Sequence, residues 1–322
     1  MQLPTHKELL RATEIVRKTM PATPTYTWPL LSQRVGAEVW VKHENHSPVG
    51  AFKLRGAMVY FDWLTREHPE IRGVVAATRG NHGQGVARAA AHYEVTATIV
   101  VPHGNSREKN RAMRAQGATL LEHGDDFQSA LEYAERLARE RGLHLIPSFH
   151  PLLVHGTGTY ALEMFATAPP LDAVYVPVGL GSSISGMLAA RGALCLATKV
   201  IGVVAARSPS YALSFRSGKV VTHAAETRLA DGLACRVPNA EALEIMLSGV
   251  DHIFEVTEPE IAAAMRSIYE DTHNVAEGAA AAAFAGLLRE RDQWAGGRVA
   301  FVLTGGNVDR EIFLEALGQG SG

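Results

Sequence analysis

The sequence is short of several things, and each shortage narrows the field. Cysteine occurs only twice in 322 residues, at Cys195 and Cys235, too few for a disulfide framework, so both are expected as buried or idle thiols. No apolar stretch is long enough to span a bilayer, since the longest, Ala279 to Leu288, is short and alanine-rich. The opening Met1-Gln2-Leu3-Pro4-Thr5-His6-Lys7 places a proline and charges where a signal peptide needs an apolar core. A cytoplasmic location with no membrane partner is therefore expected. Charge of one sign is also lacking. Lysine and arginine number 31 against 33 acidic residues, mixed throughout and with no basic block at either end, so no nucleic-acid partner is expected. Neither a Pro/Gly/Ser-rich linker nor an internal repeat divides the chain. What remains is a globular chain, 47% hydrophobic and long enough for two domains.

What is present is an alternation of continuous apolar strands with amphipathic helices. It predicts strands over 73–77, 96–101, 118–121 and 143–147 and helices over 54–66, 83–92, 107–116 and 127–140. A second run predicts a helix over 159–167, a strand over 173–178, a helix from Ser185 and a strand over 199–205. After a looser stretch, 207–238, come helices over 258–270 and 279–294 and a strand over 298–303. The chain opens with a helix over 7–19, a Pro/Thr-rich crossing at 21–29 and a strand over 38–42. Apolar strands alternating with helices mean parallel sheets covered on both faces. The expected fold is α/β with two doubly wound open sheets: residues 49–149 form a small domain, and 1–48 with 150–322 a larger one. Ligands of such sheets sit beyond the carboxyl ends of the strands.

Three strand-to-helix loops there carry chemistry. Thr78-Arg79-Gly80-Asn81-His82-Gly83-Gln84 opens a helix whose amides favour an anion such as a carboxylate. An ordinary capped glycine turn gives the same pattern. Gly179-Leu180-Gly181-Ser182-Ser183-Ile184-Ser185 is a phosphate nest: small residues, hydroxyls and consecutive amides at a helix start. Ile184 stands where a dinucleotide fingerprint needs its third glycine, and the loop has no P-loop lysine. The third, Thr304-Gly305-Gly306-Asn307, offers one hydroxyl. Upstream, Gly50-Ala51-Phe52-Lys53-Leu54-Arg55-Gly56 presents a lysine between an aromatic ring and a helix start. Desolvation there lowers the pKa of an amine and frees it for Schiff-base chemistry, although a surface lysine at a helix start is the ordinary reading of one such residue alone. Gly156-Thr157-Gly158-Thr159-Tyr160-Ala161 imitates a dinucleotide motif but follows only a weak strand candidate, Pro151 to His155. His43 and His46 lack a third ligand for a metal, and no Gly-x-Ser-x-Gly elbow is present.

A Schiff-base lysine, a phosphate nest and a ring-facing hydroxyl are together what pyridoxal phosphate requires. From about Glu14 to Asp309, with these four motifs in order, the chain resembles the fold type II pyridoxal-phosphate enzymes, in their serine/threonine dehydratase and serine racemase branch. The resemblance implies that Lys53, preceded by Phe52, holds the cofactor as a Schiff base and removes the substrate α-proton. It implies that Asn81 bonds the ring oxygen, that amides around Thr78, Gly80 and His82 hold the substrate carboxylate, and that Gly179, Leu180, Gly181, Ser182 and Ser183 hold the phosphate. Thr304 would meet the pyridine nitrogen and Glu277 would lie near the ring. The implied activity is an ammonia-lyase: water is eliminated from a threonine- or serine-like β-hydroxy-α-amino acid, leaving a 2-oxo acid and ammonia. 3-Hydroxyaspartate or phenylserine as substrate, racemisation, and β-replacement are the alternatives on the same frame. A homodimer is also implied.

The departures are specific. Arg79 stands where the family has a serine that serves the racemases as acid/base; an arginine stays protonated, so racemisation is expected to be weak or absent. Arg79 either turns to solvent or reaches a side-chain group of the substrate, such as a second carboxylate. Arg207 replaces a cation-ligating glutamate, so no metal is expected, and Gln128 replaces a substrate-facing arginine. Ala51 replaces a serine before Phe52, and Leu180 and Ser182 replace two glycines of the nest. The short stretch after Asp309 leaves no room for a regulatory domain.

Overall fold

A computed structural model describes residues 1–318. The chain begins with α1 (His6–Arg17), β1 (Thr25–Thr27), α2 (Pro29–Val35) and β2 (Glu38–His43). Then follow α3 (Lys53–Glu67), β3 (Gly73–Ala77), α4 (Asn81–His92), β4 (Thr96–Val101), α5 (Arg107–Ala115), β5 (Thr119–Glu122), α6 (Phe127–Arg141) and β6 (His144–Leu145). The remainder runs α7 (Pro151–Thr167), β7 (Ala173–Pro177), α8 (Ser182–Ala193), β8 (Lys199–Ala205), α9 (Ser210–Ser217), α10 (Ala240–Gly249), β9 (His252–Val256), α11 (Glu258–Thr272), α12 (Gly278–Arg289), β10 (Arg298–Leu303) and α13 (Arg310–Gly318). Among the described residues no helix is long and apolar enough to cross a membrane.

Two sheets result, in the orders β1-β2-β10-β7-β8-β9 and β5-β4-β3-β6. Every neighbouring pair is parallel except β1 with β2. The three-residue β1 lies in the crossing rich in proline, a residue that suits a sheet edge because it has no N–H to donate to a ladder. β2 finds its place beside β10, in register from Glu38 against Arg298 to His43 against Leu303. The central strands β3, β7, β8 and β10 are buried along almost their whole length, as continuous Val/Ala/Ile runs require of strands covered on both faces.

Several elements depart from the sequence expectation. The helix expected from Thr159 begins at Pro151, which occupies the first turn while the His150 ring caps it by accepting from the Leu152 amide at 3.2 Å. The weak strand at 151–155 is thus helical, and the dinucleotide-like glycines lie inside a helix. They are there for packing. A Cβ on Gly156 would meet the Arg55 carbonyl oxygen at 2.3 Å, and one on Gly158 would meet Leu9 at 2.5 Å. The 207–238 stretch contains α9, and α10 and β9 follow it unforeseen. The strand expected over 143–147 shortens to two residues.

Between β2, α3 and α7 lies a buried ion network. Arg55, fully buried, donates from Nε to Glu44 Oε2 at 2.7 Å, from Nη2 to Glu163 Oε2 at 2.7 Å, and from Nη1 to Thr159 Oγ1 at 2.9 Å. Lys42, also fully buried, donates to Glu163 Oε2 at 2.7 Å and to the Thr23 carbonyl at 2.8 Å. Burial alone would lower the Arg55 pKa, but Glu44 and Glu163 reverse this and raise it. Burial likewise opposes ionisation of Glu163, yet the Arg55 and Lys42 bonds hold its pKa below the usual carboxylate value. Removing one member of such a group leaves uncompensated buried charge. Arg55→Met should therefore destabilise the protein by about 3–5 kcal/mol in urea denaturation, against a much smaller loss for Arg34→Met on the surface. A loss below about 1 kcal/mol for Arg55→Met would show that the network is solvated.

Candidate active site

The carboxyl ends of β3, β7 and β10 face one cavity of about 370 Å³ that opens to solvent. All three loops singled out in the sequence reach it, and so do Phe52, Lys53 and Glu277. Backbone and side-chain hydrogen bonds stitch them together. The Phe52 amide donates to the Thr304 carbonyl at 3.0 Å, and the Gly306 amide to Gly50 at 2.9 Å. Asn307 Nδ2 donates to both the Val49 carbonyl, at 2.8 Å, and Asn81 Oδ1, at 2.9 Å. Asn81 Nδ2 in turn donates to Glu277 Oε1 at 2.6 Å. A side chain at Gly305 would collide with that carboxylate, its Cβ falling 2.5 Å from Oε1.

Lys53 opens α3 with its amine 4.8 Å above the Phe52 ring and 3.4 Å from Ser182 Oγ. Burial pushes its pKa down to about 8, against a smaller upward pull from Glu277. Ser182 begins α8, and among the described residues none of the amides from Gly179 to Ile184 finds a protein acceptor. Gly181 makes the turn in the left-handed region, φ 99°, and a Cβ there would strike Ala242 at 2.7 Å. The geometry is that of an anion site beside an amine whose pKa burial has lowered.

The Thr78–His82 loop is used differently from the expectation. The Thr78 amide continues the sheet to Val100, and the Gly80 amide turns back to Thr78 Oγ1 at 2.9 Å. The free amides are those of Arg79, Asn81 and His82, the last two in the first turn of α4. His82 is buried and its pKa falls to about 3, first through burial and then through Lys53, so its ring is neutral at physiological pH. Its Nε2 lacks a partner. Arg79 and Gln128 line the cavity. Arg207 does not; it sits on the surface 3.2 Å from Glu226, which does line it.

Two residues without any sequence signal complete the site. Lys109, on α5, donates to both oxygens of Asp231 at 2.9 and 2.6 Å and lies 3.6 Å from Glu277 Oε2. Burial works against the Lys109 ammonium, but Asp231 and Glu277 outweigh it and raise the pKa. Burial pushes Glu277 up to about 7 despite Lys109, with Asp231 adding to the rise. The stem of Lys109 also explains Gly80, where a Cβ would lie 2.3 Å from Lys109 Cδ.

The donor set suits pyridoxal phosphate: one desolvated lysine, a row of unengaged amides and serine hydroxyls for a dianion, and a flat apolar wall at Phe52 and Leu180. Comparison with known proteins agrees. The family described as pyridoxal-phosphate dependent enzyme matches residues 16–305. An L-threonine ammonia-lyase of Thermotoga maritima is 35% identical over 98% of this chain and 79% of its own. An L-threo-3-hydroxyaspartate ammonia-lyase of Saccharomyces cerevisiae is 34% identical over 97% of this chain and 96% of its own. The crystal structure of a pyridoxal 5'-phosphate-dependent aspartate racemase superposes with a TM-score of 0.91, at 28% identity, over 97% of this chain and 98% of that one.

The electrostatics of Lys53 generate a pH dependence. In apoprotein treated with pyridoxal and borohydride, labelling of Lys53 requires the neutral amine, so it should rise through a half-point near pH 8, where its pKa lies. An exposed lysine would do so only near ~10.4. Because Glu277 stabilises the ammonium, Glu277→Gln should move the half-point downward. Mass spectrometry of the Lys53 peptide reads both; a half-point near 10, or an upward shift in the variant, would contradict this electrostatic account.

Proposed function

Because the chain belongs to the pyridoxal-phosphate dependent enzyme family, we propose that it is a dehydratase converting a β-hydroxy-α-amino acid to a 2-oxo acid and ammonia by elimination of water. Pyridoxal phosphate is the cofactor; when bound, it supplies the electron sink that makes the substrate α-proton removable. The observation that carries the reading is the Lys53 amine lying 3.4 Å from Ser182, beside the acceptor-free amides of the 179–184 turn. Gly179, Leu180, Gly181, Ser182 and Ser183 hold the phosphate, and Phe52, Asn81, Glu277 and Thr304 surround the ring. The amides of Asn81 and His82 hold the substrate carboxylate in the first turn of α4, with Thr78 and Gly80 shaping the loop. Lys53 takes the α-proton, which an amine with a pKa near 8 can accept and return near neutral pH.

Threonine and serine are the default substrates, as for the Thermotoga relative's threonine; 3-hydroxyaspartate, named for the yeast relative, and phenylserine are the alternatives. A racemase needs a base on the face opposite Lys53, and Arg79 cannot be one. The domain division at 1–48 with 150–322 and 49–149 belongs to the same reading, supported by β3–β6 forming a sheet of their own. The resemblance adds a homodimer and a cytoplasmic location.

The test is release of 2-oxo acid and ammonia by the purified holoenzyme from L-threonine, L-serine, the 3-hydroxyaspartate isomers and phenylserine. At least one should be turned over, with no D-amino acid formed, and Lys53→Ala should lower the rate by at least about a thousandfold. Cofactor-loaded protein that releases neither product from any of them would overturn the assignment, and turnover appearing only with an added nucleophile would point to β-replacement.

A further inference from the structure

The ionic groups lining the cavity pair off, with one exception. Its carboxylates are Asp126, Glu226, Asp231 and Glu277. Asp126 accepts from Arg236 at 3.0 Å, Glu226 from Arg207 at 3.2 Å, and Asp231 and Glu277 share Lys109. Of the cations, Lys109 and Arg236 are thereby neutralised, and Lys53 is the reacting amine. Arg79 is left over. No carboxylate or hydrogen-bond acceptor among the described residues meets its guanidinium, and its Nε is buried without a partner. A guanidinium keeps all its N–H donors and has no acceptor of its own. Arg79 as a whole is only half-buried, but a buried donor such as its Nε is costly without an acceptor, and a ligand of the cavity can supply one.

The groups already assigned to the cavity do not supply one. The cofactor phosphate has the amides of the 179–184 turn, and the substrate α-carboxylate has those of Asn81 and His82. Arg79 lies next to that second set in the chain, so an acceptor there sits close to the α-carboxylate but is not part of it. We infer that Arg79 forms a side-chain subsite for a second anionic group, making the substrate an amino diacid that carries its β-hydroxyl next to a carboxylate. This rests on the dehydratase reading and narrows its substrate class. Planar, bidentate recognition of a carboxylate is what a fixed guanidinium does best. Gln128 also lines the cavity but carries no charge, and its Nε2 donates to Glu132 Oε1 at 3.2 Å.

The test separates the subsite from the chemistry. L-Aspartate and L-2-aminobutyrate are close in size, share the α-amino acid head and lack a β-hydroxyl, so neither can lose water. Their binding to the holoenzyme is followed by the visible absorbance change of the cofactor. Wild type should bind L-aspartate about tenfold to a hundredfold more tightly, the worth of a charge-assisted hydrogen bond. Arg79→Gln should abolish that preference while moving 2-aminobutyrate affinity by no more than about twofold, and Arg79→Lys should keep part of it. Equal affinity of wild type for the two ligands overturns the inference, as does equal weakening of both in Arg79→Gln, which would mean that Arg79 holds the α-carboxylate. If Arg79→Gln does not take up cofactor, the wild-type ratio and Arg79→Lys decide. The two readings fail separately. Ammonia from L-threonine but from no 3-hydroxyaspartate isomer removes the subsite and leaves the dehydratase. An aspartate preference that Arg79→Gln abolishes, with no ammonia from any substrate, removes the dehydratase and leaves the subsite.

Discussion

The position of Lys53 depends on an arginine two residues further along the chain. Arg55 is fully buried and bonded through all three of its nitrogens to groups on two other elements, Glu44 after β2 and Thr159 and Glu163 on α7. That fixes the first turn of α3 in both rotation and height. α7 closes on it because Gly156 has no side chain to hold the backbones apart. The same helix then bonds α8, through Thr157 Oγ1 to the Ser182 carbonyl at 2.7 Å and Tyr160 to Ser183. The lysine and the amides it faces are therefore held by one continuous set of buried contacts. A buried ion group is weak evidence for stability in itself; here it gives a defined geometry to an amine that must meet a ligand within a few tenths of an ångström.

The cavity floor shows the same logic with hydrogen bonds instead of charge. Asn307, Asn81 and Glu277 form a chain that joins the loop after β10, the start of α4 and the start of α12. The three strand-end loops are thus mutually dependent, and glycines occur where they cross: Gly305 under the Glu277 carboxylate and Gly80 under the Lys109 stem. Asn81 was expected to serve the cofactor ring and the substrate. Its amide has two protein partners, so its first effect is to orient Glu277.

Much of this was legible in the sequence where a feature is local. The strands 73–77, 96–101, 199–205 and 298–303 fall on the expected residues, since an unbroken β-branched run bounded by polar residues has few other ways to be buried. The three loops were legible because glycines after a strand announce close approach. Features made by distant partners were not. Lys109 and Asp231 are 122 residues apart, and neither sits in a motif. The start of α7 was hidden by a histidine cap, outside the usual Ser/Thr/Asp/Asn set, and by glycines that look like a loop but serve helix packing. β9, His252-Ile253-Phe254-Glu255-Val256, interleaves polar residues because it is an edge strand, and that removed the apolar run by which its neighbours were recognised.

The electrostatic layout of the cavity explains why its titratable groups are distributed as they are. Lys53 can be a base near neutral pH only if no carboxylate pins its ammonium, and the nearest acid with influence on it, Glu277, is itself pushed up to about 7 and engaged by Lys109 and Asn81. His82 stays neutral first because its ring is buried and then because a second cation beside Lys53 is disfavoured. Lys109 and Asp231 keep a full ion pair a short distance away without adding net charge. If the substrate were neutral in its side chain, the guanidinium of Arg79 would keep a buried N–H without an acceptor. A substrate carboxylate supplies that acceptor and offsets the charge of Arg79 in the same contact.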